Sequence, residues 1–437
     1  MRAHTAATPA AYGVALIATL VGVRTQAQPT DSLSLTALYR LAEQADKRAP
    51  QLDLLAEQSA QRTITLRREA LPVIGGTALA QYLSDVPQVR LPGPGGAAGI
   101  GPANEQVDTY LSVRQSLYDP TRAARSRVER AQLAESQASV RGTIWAQRQQ
   151  VNDAFFALAQ GAMQQRHIEA SLVDLTERRR IAVLRRDNGV ALASEVALLD
   201  AELARRRQAL AELAATQAAT RDVLASMVGR PVTERNTPVI PPTLARDTMP
   251  LPDAGRDRLE FAQFARSRDL LAAREQLATR ALLPRLSAVA RTGYGRPGIN
   301  PLRADFVAYS VLGMQLEWAP WNWGATQRDL AVTALQARLV ATSESQLEAS
   351  IARAARADRG RIEALERMRA DDDTIVALRE AILRETRLRF DEQDIGAAEF
   401  VARSVELLTA TLDRETRRIR LAEARARYFT TIGRDLP

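Results

Sequence analysis

The chain has 437 residues, a formal net charge of +8, no cysteine, and one lysine, Lys47, among 59 basic residues. The length allows two or three ordinary domains, and the missing cysteines exclude disulfides, thiolate metal sites and a lipid anchor on cysteine. The arginines are spread evenly among Glu and Asp, which argues against nucleic acid as a partner despite the basic balance.

Arg2 and His4 precede an apolar run from Ala10 to Val23, and small residues flank Gln26 in Thr25-Gln26-Ala27. Residues 1–27 are therefore expected to be a secretory signal peptide cut after Ala27. The apolar run of about 14 residues is short for a spanning helix, which needs about 20. No other segment is long and apolar enough, so an exported chain of this kind enters a membrane only as a β-barrel.

Residues 33–70 carry apolar residues at helical spacing and predict one helix stopped by Pro72. Residues 73–83 and 107–118 alternate with period two and predict two strands joined by a Pro- and Gly-rich loop. From Asp119 to Asp187 only isolated Gly142 and Gly161 interrupt a helical pattern about 105 Å long at 1.5 Å per residue. Asp187-Asn188-Gly189 is a turn signal. A return helix from Leu192 to Met227 follows. Its seam is Val196, Leu199, Leu203, Arg206, Leu210, Leu213, Gln217, Thr220, Leu224 and Met227, which is coiled-coil spacing. Residues 231–253 hold Pro231, Pro238, Pro241, Pro242, Pro250 and Pro252 and read as a linker, either packed around the helices or a disordered tether. Beyond it the pattern recurs: a helix near 254–282, strands from Leu286 and from Phe306, a helix of about 65 residues from Ala325, and a helix over 397–432.

The chain is thus written twice. Glu195, Glu202, Leu203, Gly229 and Arg230 register with Glu399, Glu406, Leu407, Gly433 and Arg434 at an offset of 204. Residues 28–230 form the first expected repeat and 254–437 the second, too long for a solenoid. The copies differ in two places. The first strand-connecting loop is longer by about nine residues, and the turn glycines Gly189 and Gly396 are three residues out of register. Four strands cannot close a barrel, but three chains supply twelve, within the range of outer-membrane barrels. The expected fold is mainly α with a small β part: a long coiled-coil α-helical barrel, plus four strands per chain in a trimeric twelve-stranded outer-membrane β-barrel. Tyr82, Tyr110, Tyr294, Phe306 and Tyr309 are expected at the interface with outer-membrane lipid.

Catalysis finds no support. His167 is the only histidine after residue 27, so neither a histidine metal pair nor a triad is available. Asp371-Asp372-Asp373 points three ways around a helix and reads as a solvated face, and Gly293 to Gly298 is turn chemistry. No cofactor is expected.

Leu71-Pro72 and Leu283-Pro284 each precede a strand, while Leu117-Tyr118-Asp119 and Trp321-Asn322-Trp323-Gly324 each join a strand to a helix. Asn188-Gly189 and Ile395-Gly396 mark turns, followed by Glu195-Val196 and Glu399-Phe400. In this order and spacing, Leu33 to Arg434 resembles the TolC-like outer membrane efflux protein family, the outer membrane factors. The resemblance implies a homotrimer in the cell outer membrane with a periplasmic extension. It implies a passive exit duct of a tripartite efflux system, served by a periplasmic adaptor (membrane fusion) protein and an inner-membrane transporter. It places adaptor docking at two hairpin tips: Arg186, Asp187, Asn188, Gly189 and Ala193 in one, Asp394, Ile395, Gly396 and Glu399 in the other. Proline at Gly189 or Gly396 is then expected to stop adaptor-dependent export. Ala402 and Val405 stand where the family has entrance carboxylates, leaving Glu195, Glu202, Glu399 and Glu406 as candidates for a displaced constriction. The competing reading pairs them with arginines at i+3 or i+4. The outer-membrane duct of a type I secretion system shares the implied fold. A periplasmic coiled-coil adaptor would carry one hairpin and more strands, and a purely structural coiled coil leaves the aromatic strands unexplained.

Overall fold

A computed structural model describes residues 32–91, 98–300 and 305–437. The expected signal peptide and the Pro92 to Gly96 part of the first loop lie outside them. In chain order the elements begin with β1 (Ser32–Ser34), α1 (Leu35–Ala45), α2 (Pro50–Arg68), β2 (Val73–Tyr82), β3 (Val89–Leu91), β4 (Ala98–Ile100) and β5 (Glu105–Tyr118). The long helices α3 (Arg122–Ala146), α4 (Arg148–Asp187) and α5 (Ala193–Val228) follow, then β6 (Thr237–Val239) and α6 (Leu259–Arg280). The chain ends with β7 (Arg285–Arg296), β8 (Val307–Glu317), α7 (Ala325–Asp391) and α8 (Ala397–Ile432).

The helix expected over 33–70 is two helices. The Asp46 carboxylate accepts the Arg48 backbone N–H at 2.8 Å and the Arg48 Nε at 2.9 Å, folding a local turn. Pro50 then takes the first position of α2, where its missing N–H costs nothing. The long helix also breaks once, at Gln147, and Arg148 just beyond lays its guanidinium 3.5 Å over the Trp145 ring. Gly161 marks a close approach, because a Cβ there would sit 2.9 Å from the Gln217 side chain. That contact also accounts for a buried glutamine in the α5 seam.

Strands β2, β5, β7 and β8 form one antiparallel sheet in that order, so β2 and β8 are its edges. The helices continue the order of the strands: α2 lies beside α3, α3 beside α6, and α6 beside α7. Farther from the sheet, α5 packs on α4, α4 on α8, and α8 on α7. At 1.5 Å per residue, the 67 residues of α7 reach about 100 Å. No helix among the described residues is long and apolar enough to cross a membrane.

Midway along this rod β1 pairs in parallel with β6, inside the proline-rich stretch. That stretch is packed rather than loose. Fully buried Arg425 of α8 donates to the carbonyls of Leu244 at 2.9 Å and Arg246 at 2.6 Å, and its Nη2 meets Glu366 of α7. The Tyr428 hydroxyl donates to the Pro252 carbonyl at 2.5 Å. Three unpaired peptide carbonyls would be costly here, and Arg425 satisfies two of them and Tyr428 the third.

The largest apolar cluster sits at the same level and contains Leu35, Leu38, Tyr39, Phe155, Phe156, Leu224 and Leu244. Within it the Tyr39 hydroxyl donates to Asn152 Oδ1, and Asn152 Nδ2 donates to Thr430 Oγ1 at 3.0 Å. Tyr39→Phe strands the Asn152 oxygen and is expected to cost about 1–2 kcal/mol in denaturant unfolding near neutral pH. Burial pushes the Tyr39 phenol up from 10.0 to about 12. The folded state thus holds this proton more tightly than the unfolded chain, so stability present below pH 10 falls as the pH rises towards 12. Tyr39→Phe is expected to flatten that alkaline decline.

Candidate functional sites on the sheet and at the hairpin tips

The strands separate two chemistries by parity. One face carries Ile74, Ala78, Ala80 and Tyr82 of β2, and Val107, Leu111 and Val113 of β5. It continues through Leu286, Ala288, Ala290 and Tyr294 of β7 to Leu312, Met314 and Leu316 of β8. Leu312 is 84% exposed and Met314 76%. The opposite face carries Asp108, Tyr110, Ser112 and Arg114 of β5 with Arg291 of β7 and Tyr309 and Gln315 of β8, interspersed with Val73 and Leu79 of β2, Val289 and Val311. Exposure alternates over residues 105–113 of β5 and 307–314 of β8, with the apolar side more open and the polar side half-buried, while Arg114 and Gln315 are exposed. The sheet therefore curls with its polar face concave and its apolar face convex.

This curl divides the aromatic group expected at the lipid interface. Tyr82 and Tyr294 lie on the convex face, with Phe306 stacked on Tyr294 at 5.6 Å between centroids. Tyr110 and Tyr309 lie on the concave face instead. Their rings flank the Arg291 guanidinium at 5.5 and 5.6 Å, and the Tyr309 hydroxyl donates to Asp108 Oδ1 at 2.6 Å. At the helix end of the sheet, Tyr118, Trp318, Trp321 and Trp323 are exposed.

At the far end of the rod the two turns have the same backbone. Gly189 N–H donates to the Arg186 carbonyl and Val190 N–H to Arg185, both at 2.9 Å. Gln393 N–H donates to Phe390 at 3.3 Å and Asp394 N–H to Arg389 at 2.8 Å. Both are Schellman motifs, and each places its central residue in the left-handed region: Gly189 at φ +74° and Gln393 at φ +67°. Gln393 is 204 residues from Gly189, so the turns are in register after all. Gly396 instead corresponds to Leu192 and precedes α8 with φ −83° and ψ 168°, extended backbone open to any residue. The φ at Gly396 is thus close to the range that proline adopts, unlike that at Gly189. A glutamine in the left-handed region costs about 1–2 kcal/mol relative to the ordinary helical region. Gln393→Gly is expected to stabilise the second turn by about 1 kcal/mol, read as roughly fivefold slower amide hydrogen exchange over 392–395.

Ion pairs join the two hairpins just above the turns. Arg185 donates to the carbonyls of Phe390 at 2.9 Å and Asp391 at 2.8 Å, adding a second donor to the Phe390 carbonyl at the end of α7. Arg178 pairs with Asp391 at 2.5 Å, and Arg387 with Asp174 at 3.0 Å. Beneath them Phe390 stacks on Phe400 at 5.1 Å, against buried Leu199, Leu203 and Ala397. Among the expected tip residues, Arg186 pairs with its neighbour Asp187 at 2.7 Å, and Asp394 with Arg389 at 2.8 Å. Asn188 and Gly189 are exposed, and Ile395 packs on the apolar cluster.

Of the four glutamates considered for a constriction, Glu202 is buried and meets Arg206 at 2.9 Å and Arg205 at 3.2 Å. Glu406 meets Arg379 at 2.5 Å and Arg403 at 3.1 Å. Glu195 lies close to Gly396, where a Cβ would stand 3.6 Å from its Oε1, and Glu399 is exposed in the first turn of α8. Asp372, expected on a solvated face, is buried and paired with Arg417 across to α8. No local motif marks Arg178, Arg185 and Arg387 in the sequence. Arginine is so common here that only position relative to the turn could have marked them.

No protein-family model matches the sequence, and no curated protein sequence does either. Solved structures do match in shape. The outer-membrane channel OprN superposes with a TM-score of 0.66 at 16% identity, covering 92% of this chain and 90% of that one. CusC gives 0.68 at 12% identity, with 92% of each chain covered. The open state of the Neisseria gonorrhoeae MtrE outer membrane channel gives 0.64 at 15% identity, covering 92% and 89%. The chain has the fold of TolC-like outer-membrane efflux channels.

Proposed function

We propose that three copies of this chain close a twelve-stranded barrel in an outer membrane and extend it as a helical tunnel into the periplasm. The tunnel is a passive exit duct, fed at the hairpin tips through a periplasmic adaptor by an inner-membrane transporter. The observation that carries this reading is the four-stranded sheet. Its convex face is mainly apolar, its concave face carries the charged side chains, and among the described residues its two edges are unpaired. Edges of this kind are excluded from hydrocarbon, and joining β8 of one copy to β2 of the next removes them. The helices support the same closure. The outermost helix α7 exposes Val332, Leu335 and Leu339, then Ile375, Leu378 and Ile382, at seam spacing for a neighbouring copy.

The test is the mass of the purified protein in detergent together with its conductance in a planar bilayer. A conducting trimer is expected. A monomer without conductance overturns the reading. Site-specific cross-linking from Asn188 or Asp394 in cells tests the tip assignment, with the adaptor as the expected product. Cross-links formed only from mid-rod positions reject it.

A further inference from the structure

We propose that the barrel lumen carries an arginine band that binds multivalent anions. This rests on the trimeric barrel proposed above. The band is Arg114 and Arg291, which stand on the same concave face. Arg114 is opposite Val289, and Arg291 is opposite Ser112, so the two lie diagonally across adjacent strands two residues apart in height. A diagonal pair of this kind has its Cβ atoms roughly 7–8 Å apart or less, close enough for both guanidinium groups to meet one polyanion. Together with Tyr110, Ser112, Val311 and Gln315 they line a hollow of about 390 Å³.

The charge balance of that face is local. Near the helix end Arg285 is opposite Glu317 and 3.9 Å from Asp119, so that cation has carboxylate company. Near the loop end Asp108 is held by the Tyr309 hydroxyl, four residues from the level of Arg291. Between them, among the described residues, no carboxylate comes within 4.0 Å of Arg114 or Arg291. The Tyr110 and Tyr309 rings hold the Arg291 guanidinium from two sides, so this cation is positioned rather than waving in solvent. Three chains would set six such cations in a band two residues tall around a narrow water-filled tube, where low-dielectric walls focus the field. Guanidinium forks suit phosphate and carboxylate oxygens in particular. Anionic organic solutes and phosphate-bearing molecules are the cargo that this mouth favours.

The test is block of single channels by tripolyphosphate added to the loop side of a planar bilayer. Wild type is expected to block at lower concentration from the loop side than from the tip side. Arg114→Gln/Arg291→Gln is expected to raise the loop-side half-blocking concentration at least tenfold, with trimer mass unchanged. Asp108→Asn, which removes a carboxylate from the same face, is expected to lower it. Equal block in wild type and the double glutamine variant overturns the arginine band, and so does a loop-side concentration that Asp108→Asn leaves unchanged or raises. Should the double variant fail to assemble, Asp108→Asn alone decides. A wild-type protein without conductance overturns the pore reading instead, which separates the two failures.

Discussion

Leu312→Arg is expected to keep the protein out of the outer membrane, while Gln315→Arg, three residues along the same strand, leaves it there. Leu312 is the middle residue of β8 and stands on the convex face, 84% exposed, opposite Ala290. In the proposed barrel it meets the hydrocarbon midplane, where an arginine costs about 2–4 kcal/mol. A trimer carries the change three times, so the penalty reaches roughly 6–12 kcal/mol, comparable to the whole stability of an ordinary domain. Gln315 has the opposite parity and faces the concave hollow, where an arginine remains in water. The measurement is the amount of trimer in isolated outer membranes. At least a tenfold loss is expected for Leu312→Arg and less than a twofold change for Gln315→Arg. Equal losses would mean that the convex face is not the lipid face.

Parity is also where the sequence was most legible. Thr109, Leu111 and Val113 against Tyr110 and Ser112 is a period-two pattern, and period two has no other structural reading over that length. The register in the sheet follows it residue by residue. The same rule places Tyr110 with Ser112 on the concave side. Grouping it with Tyr82 and Tyr294 as a lipid belt followed residue type and set parity aside. Glycine is the usual residue in a left-handed helix end, so residue identity alone pairs Gly189 with Gly396. The backbone matches Gly189 with Gln393, because the flanking helices fix the turn length and glutamine tolerates the strained conformation once they do. The links between hairpins, Arg185 to Phe390 and Asp391, and Arg387 to Asp174, join residues more than 200 positions apart. Local spacing carries no information about such pairs in an arginine-rich chain.

Gly189→Pro is expected to abolish export while leaving trimers in the membrane, and Gly396→Ala to change neither. Proline holds φ near −65°, and Gly189 stands at +74°. It also lacks the N–H that Gly189 donates to the Arg186 carbonyl at 2.9 Å. Losing the Schellman turn and straining the backbone together cost about 3 kcal/mol or more. The damage falls on the last turn of α4, which carries Arg185 and thereby the capping of α7. The two hairpins then lose their shared geometry at the surface proposed to meet the adaptor. The sheet lies roughly 100 Å away along α3 and α4, far beyond the range over which neighbouring sites couple, so trimer content is expected to stay within twofold. At Gly396 the backbone is extended, and an added Cβ meets only Glu195 Oε1 at ordinary van der Waals distance, 3.6 Å. Export through the cognate transporter, measured as intracellular accumulation of its substrate in cells lacking any other duct, checks both. Wild-type export with Gly189→Pro would show that the first turn is not where the duct is engaged, whatever the barrel does.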